Sequence, residues 1–158
     1  MTEVVEGVEN AEVKKLRVKT GDHYLAFVLD EKSRNKLLKL YPPKNANVVC
    51  HHITIAFKIE EKDLRYLQQI VNCKVPPEVV SYNYYDGLDL LSVTVKHQIK
   101  RLDGGKYHIT HSHSDELKPV DSNKFLNNEP FNHVMQDKSN KIFAKTILKG
   151  EYRLIPYN

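Results

Sequence analysis

Two copies of one tripeptide, His52-Ile53-Thr54 and His108-Ile109-Thr110, lie far apart in the chain, each inside a run of β-type residues. In a strand, successive side chains point to opposite faces. A His and a Thr two places apart therefore share a face, about 6.5–7 Å from each other along the strand, and the Ile between them points the other way. Each run then reads as a strand with an apolar side for a core and a polar side that carries an imidazole and a hydroxyl as one rigid pair. Two such pairs turned toward each other surround a tetrahedral anion with two general acid/base groups and two hydrogen-bond donors. The chain has eight histidines and six threonines in 158 residues, so chance supplies roughly 0.3 His-x-Thr matches. Two matches, both centred on isoleucine and both in strand-type runs, exceed that expectation.

The remaining pattern sets these strands among hairpins and short helices. Residues 1–20 read as a loosely ordered segment, and 21–158 as a single domain, with no Gly/Ser linker or low-complexity tract to divide it. His23–Leu29 reads as a strand. Asp30 caps a helix over Glu31–Tyr41 that Pro42-Pro43 ends. Asn47–Phe57, rich in Val, Ile and Thr, is the strongest strand signal. Glu60–Asn72 spaces Leu64, Leu67 and Val71 along one helical face. After Pro76-Pro77 a hairpin is predicted from Val79–Tyr85 and Leu88–His97 around Asp86-Gly87. The turn at Asp103-Gly104-Gly105 leads into a strand over Lys106–His113. Asp121 and Ser122 cap a short helix containing Phe125 and Leu126, bounded by Pro130. Ile142–Leu148 and Tyr152–Ile155 make a last hairpin at Gly150. Hairpins mixed with separate helices predict an α+β fold with antiparallel sheet.

Composition narrows the function classes. At 41% hydrophobic and 28% charged the chain has globular composition, and no apolar run approaches the ~20 residues that span a bilayer. The opening MTEVVEGVEN is acidic and has no apolar centre, so no cleavable signal is expected. Two cysteines, Cys50 and Cys73, do not make a disulfide framework, which favours a cytoplasmic setting. A net charge of +4, spread along the chain, favours anionic ligands but falls short of a duplex-DNA-binding arm. The expected partner is a small anionic ligand, with neither membrane nor duplex DNA, and a homo-oligomer stays open.

At these residues the chain resembles the 2H phosphoesterase superfamily, named for its two H-x-T motifs. The segment Tyr107-His-Ile-Thr-His-Ser-His-Ser-Asp-Glu-Leu-Lys-Pro-Val-Asp-Ser-Asn123 resembles the "Swiss-army-knife" RNA-repair-like branch, in which a similar K-P-V-x-S-N stretch follows the second motif. Size and the strand Cys-His-His-Ile-Thr-Ile-Ala-Phe57 are similar to the phage anti-CBASS phosphodiesterases of that branch. The resemblance covers about Tyr24 to Tyr157. It implies two pseudo-symmetric lobes of antiparallel sheet with outer helices and a cleft between them. It also implies a cofactor-free hydrolase acting on cyclic dinucleotides or cyclic oligonucleotides, within a host cytoplasm if the chain is phage-encoded. Two other readings stand beside it: an RNA-end 2′,3′-cyclic phosphodiesterase, and a non-catalytic cyclic-nucleotide sponge.

The proposed catalytic set is His52, Thr54, His108 and Thr110. One histidine accepts a proton from a ribose 2′-OH or water and the other protonates the leaving oxygen, with no metal needed. The threonines hold the non-bridging oxygens, and the order of the histidines stays open. Ligand contacts are expected from Tyr24, Tyr84, Lys118, Ser122 and Tyr152. Strand packing is the plainer role for Tyr24 and Tyr84, as for Tyr82 and Tyr85, and a helix cap for Ser122, while Glu151-Tyr152-Arg153 is read as a lid over the ligand. Strand alternation aims His51 away from the cleft and sets His111 and His113 together on exposed strand ends, where a metal site is the alternative. Cys50 shares the predicted face of His52, which allows either a Cys–His nucleophile or a small buried hydrophobe.

Overall fold

The computed structural model describes residues 22–128 and 146–157. The segment 1–20, the boundary at Pro130 and the start of the last expected hairpin lie outside the described residues. In chain order the elements are β1 (His23–Leu29), α1 (Glu31–Leu40), β2 (Asn47–Val48), β3 (His52–Ala56), a 3-10 turn at Glu61–Asp63 running into α2 (Leu64–Asn72), β4 (Glu78–Tyr85), β5 (Leu88–Thr94), β6 (His108–His113), α3 (Asp121–Asn128) and β7 (Gly150–Pro156). The local chemistry behaves as the sequence predicts at α1: the Asp30 carboxylate accepts the Ser33 N–H at 2.7 Å and satisfies one of the free donors of the first turn.

Among the described residues seven strands join one antiparallel sheet, ordered β4-β5-β6-β3-β1-β7, with the short β2 also on β6. The two motif strands are therefore central neighbours, flanked on one side by the β4–β5 hairpin and on the other by β1 and β7. Ile53 and Ile109 are paired across the β3–β6 seam, and both are fully buried. Around them a core gathers Leu25, Phe27, Leu91 and Val93 from the sheet, Leu37 from α1, and Leu67, Ile70 and Val71 from α2. The opposite face has a smaller apolar cluster of Leu88, Leu90 and Leu126. Helices α1 and α2 thus cover the isoleucine side of the motif strands, and the histidine side is left as a cleft.

Three elements differ from the sequence reading. The strand expected over Asn47–Phe57 is broken. Between Val48↔Ser112 and Ile53↔Ile109 the chain advances five residues while β6 advances three. Two extra residues are absorbed near Cys50, whose φ is +41°, a left-handed conformation that no regular strand contains. An even number of inserted residues keeps His52 on its intended face. The strand expected to reach His97 stops at Thr94, because Lys96 and His97 both have positive φ and form a turn. Finally, β7 is not one arm of a hairpin at Gly150. Residues Thr146 and Leu148 bond to the backbone around Pro77 and Val79, while β7 pairs along the whole of β1, from Gly150↔Leu29 to His23↔Pro156. That register buries Tyr152 and Leu154 beside Phe27 and Leu25, which a local hairpin would leave without a core to join.

Gly150 is where the chain crosses from one partner to the other, and a Cβ there lands on the Val28 carbonyl oxygen and the backbone of Leu29. Gly150→Ala should therefore destabilise the fold by about 1–3 kcal/mol through forced backbone displacement, read as a lower urea midpoint with unchanged slope.

Candidate active site

The antiparallel pairing Ile53↔Ile109 sets His52 across from Thr110 and Thr54 across from His108. The two imidazoles stand at one pair of diagonal corners of a four-residue array and the two hydroxyls at the other. Directly opposed Cβ atoms in such a ladder are roughly 4.5–5.5 Å apart and diagonal neighbours roughly 7–8 Å, a spacing that two imidazoles can bridge through one tetrahedral group. All four side chains line a single cleft of about 170 Å³, together with Tyr24 and Phe57 near His52, and Pro119, Val120 and Asn123 near Thr110.

His108 is held by its own strand. Its Nδ1 lies 2.8 Å from the Lys106 carbonyl, and a carbonyl only accepts, so Nδ1 carries the proton and neutral His108 keeps its lone pair on Nε2. Burial disfavours the cation and lowers its pKa to about 4. The Lys106 carbonyl offsets this in part, and positive charge on Arg101 and His52 adds to the lowering. His52 is lowered to about 4 as well, by burial first and by His51 second. Both rings are therefore neutral in neutral solution. The Thr110 hydroxyl lies 2.8 Å from the Ser122 hydroxyl and 3.3 Å from the Pro119 carbonyl. With Thr110 donating to that carbonyl, Ser122 donates to Thr110 and fixes its rotamer.

Of the expected ligand contacts, the structure brings only Tyr24 to the cleft wall, its ring 6.1 Å from that of His52 and 6.4 Å from that of Phe57. Ser122 is fully buried behind Thr110, so it positions a site residue instead of touching a ligand. Tyr84 lies on the edge strand β4, three strands from β3, under Lys44 at 5.6 Å. Tyr152 is on the helix-covered face, edge-on to Phe27 at 5.0 Å, since the register of β7 points its odd neighbour Arg153 to the cleft side. Lys118 has an exposed side chain, and its backbone N–H bonds to Asp121.

The remaining histidine and cysteine expectations fare differently. His51 is exposed and does not line the cleft, but the break at Cys50 brings its Nδ1 within 3.0 Å of His52 Nδ1. His111 is fully buried, and its Nε2 donates to the Tyr41 carbonyl at 2.6 Å. Among the described residues no three His, Cys, Asp or Glu side chains gather as a metal-ligand set. Cys50 has no exposed surface, and burial pushes its thiol up to about 12, which makes it a small hydrophobe and a poor nucleophile. The sequence reading also missed Phe57, Asn123 and Arg101. Buried Arg101 donates to Asn123 Oδ1 at 2.8 Å and sits 5.1 Å from the Phe57 ring. The Asn123 amide is thereby oriented with Nδ2 3.5 Å from the Val120 carbonyl, which leaves its second N–H to donate to a ligand. The only sequence signal for it was its place at the end of the K-P-V-x-S-N stretch.

No protein-family model matches the chain, and no curated protein matches it. Among solved structures, a fungal RNA kinase aligns with 90% of this chain at 11% identity and a TM-score of 0.44; the chain spans 43% of that protein's length. Among the described residues no helix is long and apolar enough to cross a membrane.

Histidines held neutral in the fold but free to protonate at about 6.5 in the unfolded chain make stability depend on pH. Unfolded chains bind more protons between pH 6.5 and 4, so stability is complete above about 6.5 and falls as the pH drops toward 4. The urea midpoint should be lower at pH 5 than at pH 7.5, and His108→Gln should shrink that difference.

Proposed function

We propose that this chain is a phosphodiesterase of the 2H type, built to cleave a ribonucleotide linkage with two histidines and without a metal. The observation that carries this reading is the four-residue array, with two imidazoles on one diagonal and two hydroxyls on the other, in one cleft. Cleaving a phosphodiester requires a nucleophile to lose a proton, a leaving oxygen to gain one, and charge on the equatorial oxygens to be stabilised. His108, with Nε2 unprotonated in its neutral form, is the base that takes the proton of a ribose 2′-OH or water. His52 protonates the leaving oxygen. Thr54 donates to one non-bridging oxygen, and Thr110 donates to the other by turning its one proton from the Pro119 carbonyl, 3.3 Å away, while still accepting from Ser122.

The substrate class we favour is a cyclic dinucleotide or cyclic oligonucleotide messenger, and the biological role an antagonist of CBASS immunity. Both rest on the likeness of the motif segments to the anti-CBASS phosphodiesterases. The cleft is smaller than the roughly 300–1,000 Å³ that engulfs a drug-sized ligand. It suits one phosphate and its flanking riboses, with the bases outside. Tyr24 and Phe57 offer ring faces there, and stacking contributes ~1–3 kcal/mol per base. The Asn123 amide faces the same rim as a donor to a phosphate oxygen or base carbonyl. The two-lobed arrangement of the superfamily belongs to this reading too, with β1–β3–β7 and β4–β5–β6 as its halves.

The test is a panel of cyclic di- and trinucleotides and of RNA ending in 2′,3′-cyclic phosphate, incubated in EDTA. Cleavage of the cyclic messengers is expected. Cleavage of the RNA end alone would change the substrate, and retention without product would make the protein a sponge. His52→Ala and His108→Ala should each lower kcat by about 10²–10⁴-fold while leaving the Kd for uncleaved ligand largely unchanged. Because burial holds the His108 cation down, kcat/KM should rise with pH along a limb centred below the ordinary histidine value of about 6.5. Near-normal rates in both alanine variants would end the proposal.

A further inference from the structure

The reaction just described, on which this inference rests, asks a neutral buried histidine to act as an acid. A neutral imidazole is a very poor acid, and the protonated form of His52 is disfavoured in its surroundings. The geometry beside it offers a way out. His51 Nδ1 and His52 Nδ1 are 3.0 Å apart, with ring centroids at 5.2 Å and planes at 80°. A contact of that length between two ring nitrogens holds one proton between them. It also leaves Nε2 as the nitrogen that His52 offers to the cleft. His51 is exposed while His52 is half-buried, so the pair runs from solvent to the reacting phosphate.

We propose that His51 is a positioning and proton-supplying residue that locks the tautomer of His52 and protonates its Nδ1 as the Nε2 proton leaves. In its protonated form His51 donates Nδ1–H to His52 Nδ1, which fixes His52 as the tautomer with Nε2–H directed at the leaving oxygen. As the P–O bond breaks, the Nε2 proton moves to that oxygen and the His51 proton moves onto His52 Nδ1. The electron pair of the broken bond stays on the leaving oxygen and becomes its O–H bond. His51 ends neutral, and His52 is neutral before and after, so the buried ring never holds a net charge. The pair resets when His52 Nε2 takes a proton from water in the emptied cleft and the Nδ1 proton returns to His51, so that both rings regain their starting protonation.

The charged groups around His51 suit a donor. Arg34, on α1, bonds to the Val49 carbonyl at 3.3 Å. Arg153, on β7, is paired with Glu151 at 2.8 Å. Burial, then Arg34, then Arg153 lower the proton affinity of His51, so a proton acquired from solvent is readily given up. On the other strand His108 has no such partner: its Nδ1 is committed to a carbonyl that cannot supply a proton. That asymmetry makes His108 the base and His52 the acid.

Two measurements decide this. The first needs no turnover: ¹⁵N imidazole shifts near neutral pH should show His52 with Nε2 protonated and Nδ1 bare, and His51→Phe should scramble that tautomer. A wild-type His52 protonated at Nδ1, or a His52 indifferent to His51→Phe, overturns the proposal. The second compares leaving groups. On a cyclic dinucleotide, His51→Phe should lower kcat by about 10²-fold with KM unchanged. On uridine 3′-(4-nitrophenyl phosphate), whose leaving group needs no proton, the rate should hold, while His108→Ala loses both. His51→Gln, which donates one N–H but cannot pass a proton through, should restore the His52 tautomer and not the rate; full rescue of the rate overturns the relay. If the wild-type protein turns over neither substrate, the phosphodiesterase reading fails, and the ring shifts alone still confirm or overturn the tautomer lock.

Discussion

The pairing of Ile53 with Ile109 across the centre of the sheet is the constraint on which the site depends. Both side chains are fully buried, and that burial fixes which residue of each tripeptide meets the core. Side chains alternate with a period of two, so a slip of one residue in either strand would turn the isoleucine to water and the histidine into the helix-covered interior. The hydrophobic term therefore sets the register, and the register sets the chemistry. Two imidazoles and two hydroxyls reach one cleft because two apolar side chains between them have nowhere else to go.

Around that seam the protein buries a set of polar side chains and satisfies most of them, His111 Nδ1 excepted. The carboxylate of Asp89, with no exposed surface, accepts from the Tyr82 hydroxyl at 2.6 Å, from the Ser112 hydroxyl and from the Lys44 backbone. Ser112 in turn accepts from the Asn45 backbone at 3.1 Å. His111 is tied to the Tyr41 carbonyl, and the Tyr41 ring stacks on Tyr82 at 5.3 Å. Networks of this kind are costly when half made and stiff when complete. This one joins β5, β6 and the loop after α1 on the flank of β6 that leads away from the cleft. It gives β6 a rigid support, as Ser122 does for Thr110 on the other face.

The legible part of the fold was the part ruled by local rules. The Asp30 cap, the Pro42-Pro43 stop, the apolar face of α2 and the Asp86-Gly87 hairpin each follow from a few adjacent residues. The break near Cys50 was not legible, since Val, Cys and His at 48–52 carry no Gly or Pro to mark a left-handed residue. It mattered, because it turned His51 toward His52. Tyr152 was misplaced for a related reason. Its face depends on β7 choosing β1 over a nearby hairpin partner, a choice made by Phe27 and Leu25 more than a hundred positions away. His111 looked like a strand-end residue until Tyr41 and Tyr82 closed over it.

The sequence by itself determined that two His-x-Thr pairs sit on strands, that each isoleucine faces inward, and that the surrounding elements alternate between hairpin and helix. These are consequences of side-chain period, capping and turn chemistry, which act over a few residues. Only the tertiary structure decided that the two strands are neighbours, that histidine lies diagonal to histidine, and that both rings are buried enough to be neutral. It also decided that Asn123 and Phe57 line the cleft, that His51 touches His52, and that Tyr84, Tyr152 and Lys118 lie away from the cleft wall. Those outcomes depend on long-range pairing and on exclusion of water, and neither quantity exists until the sheet has closed around its core.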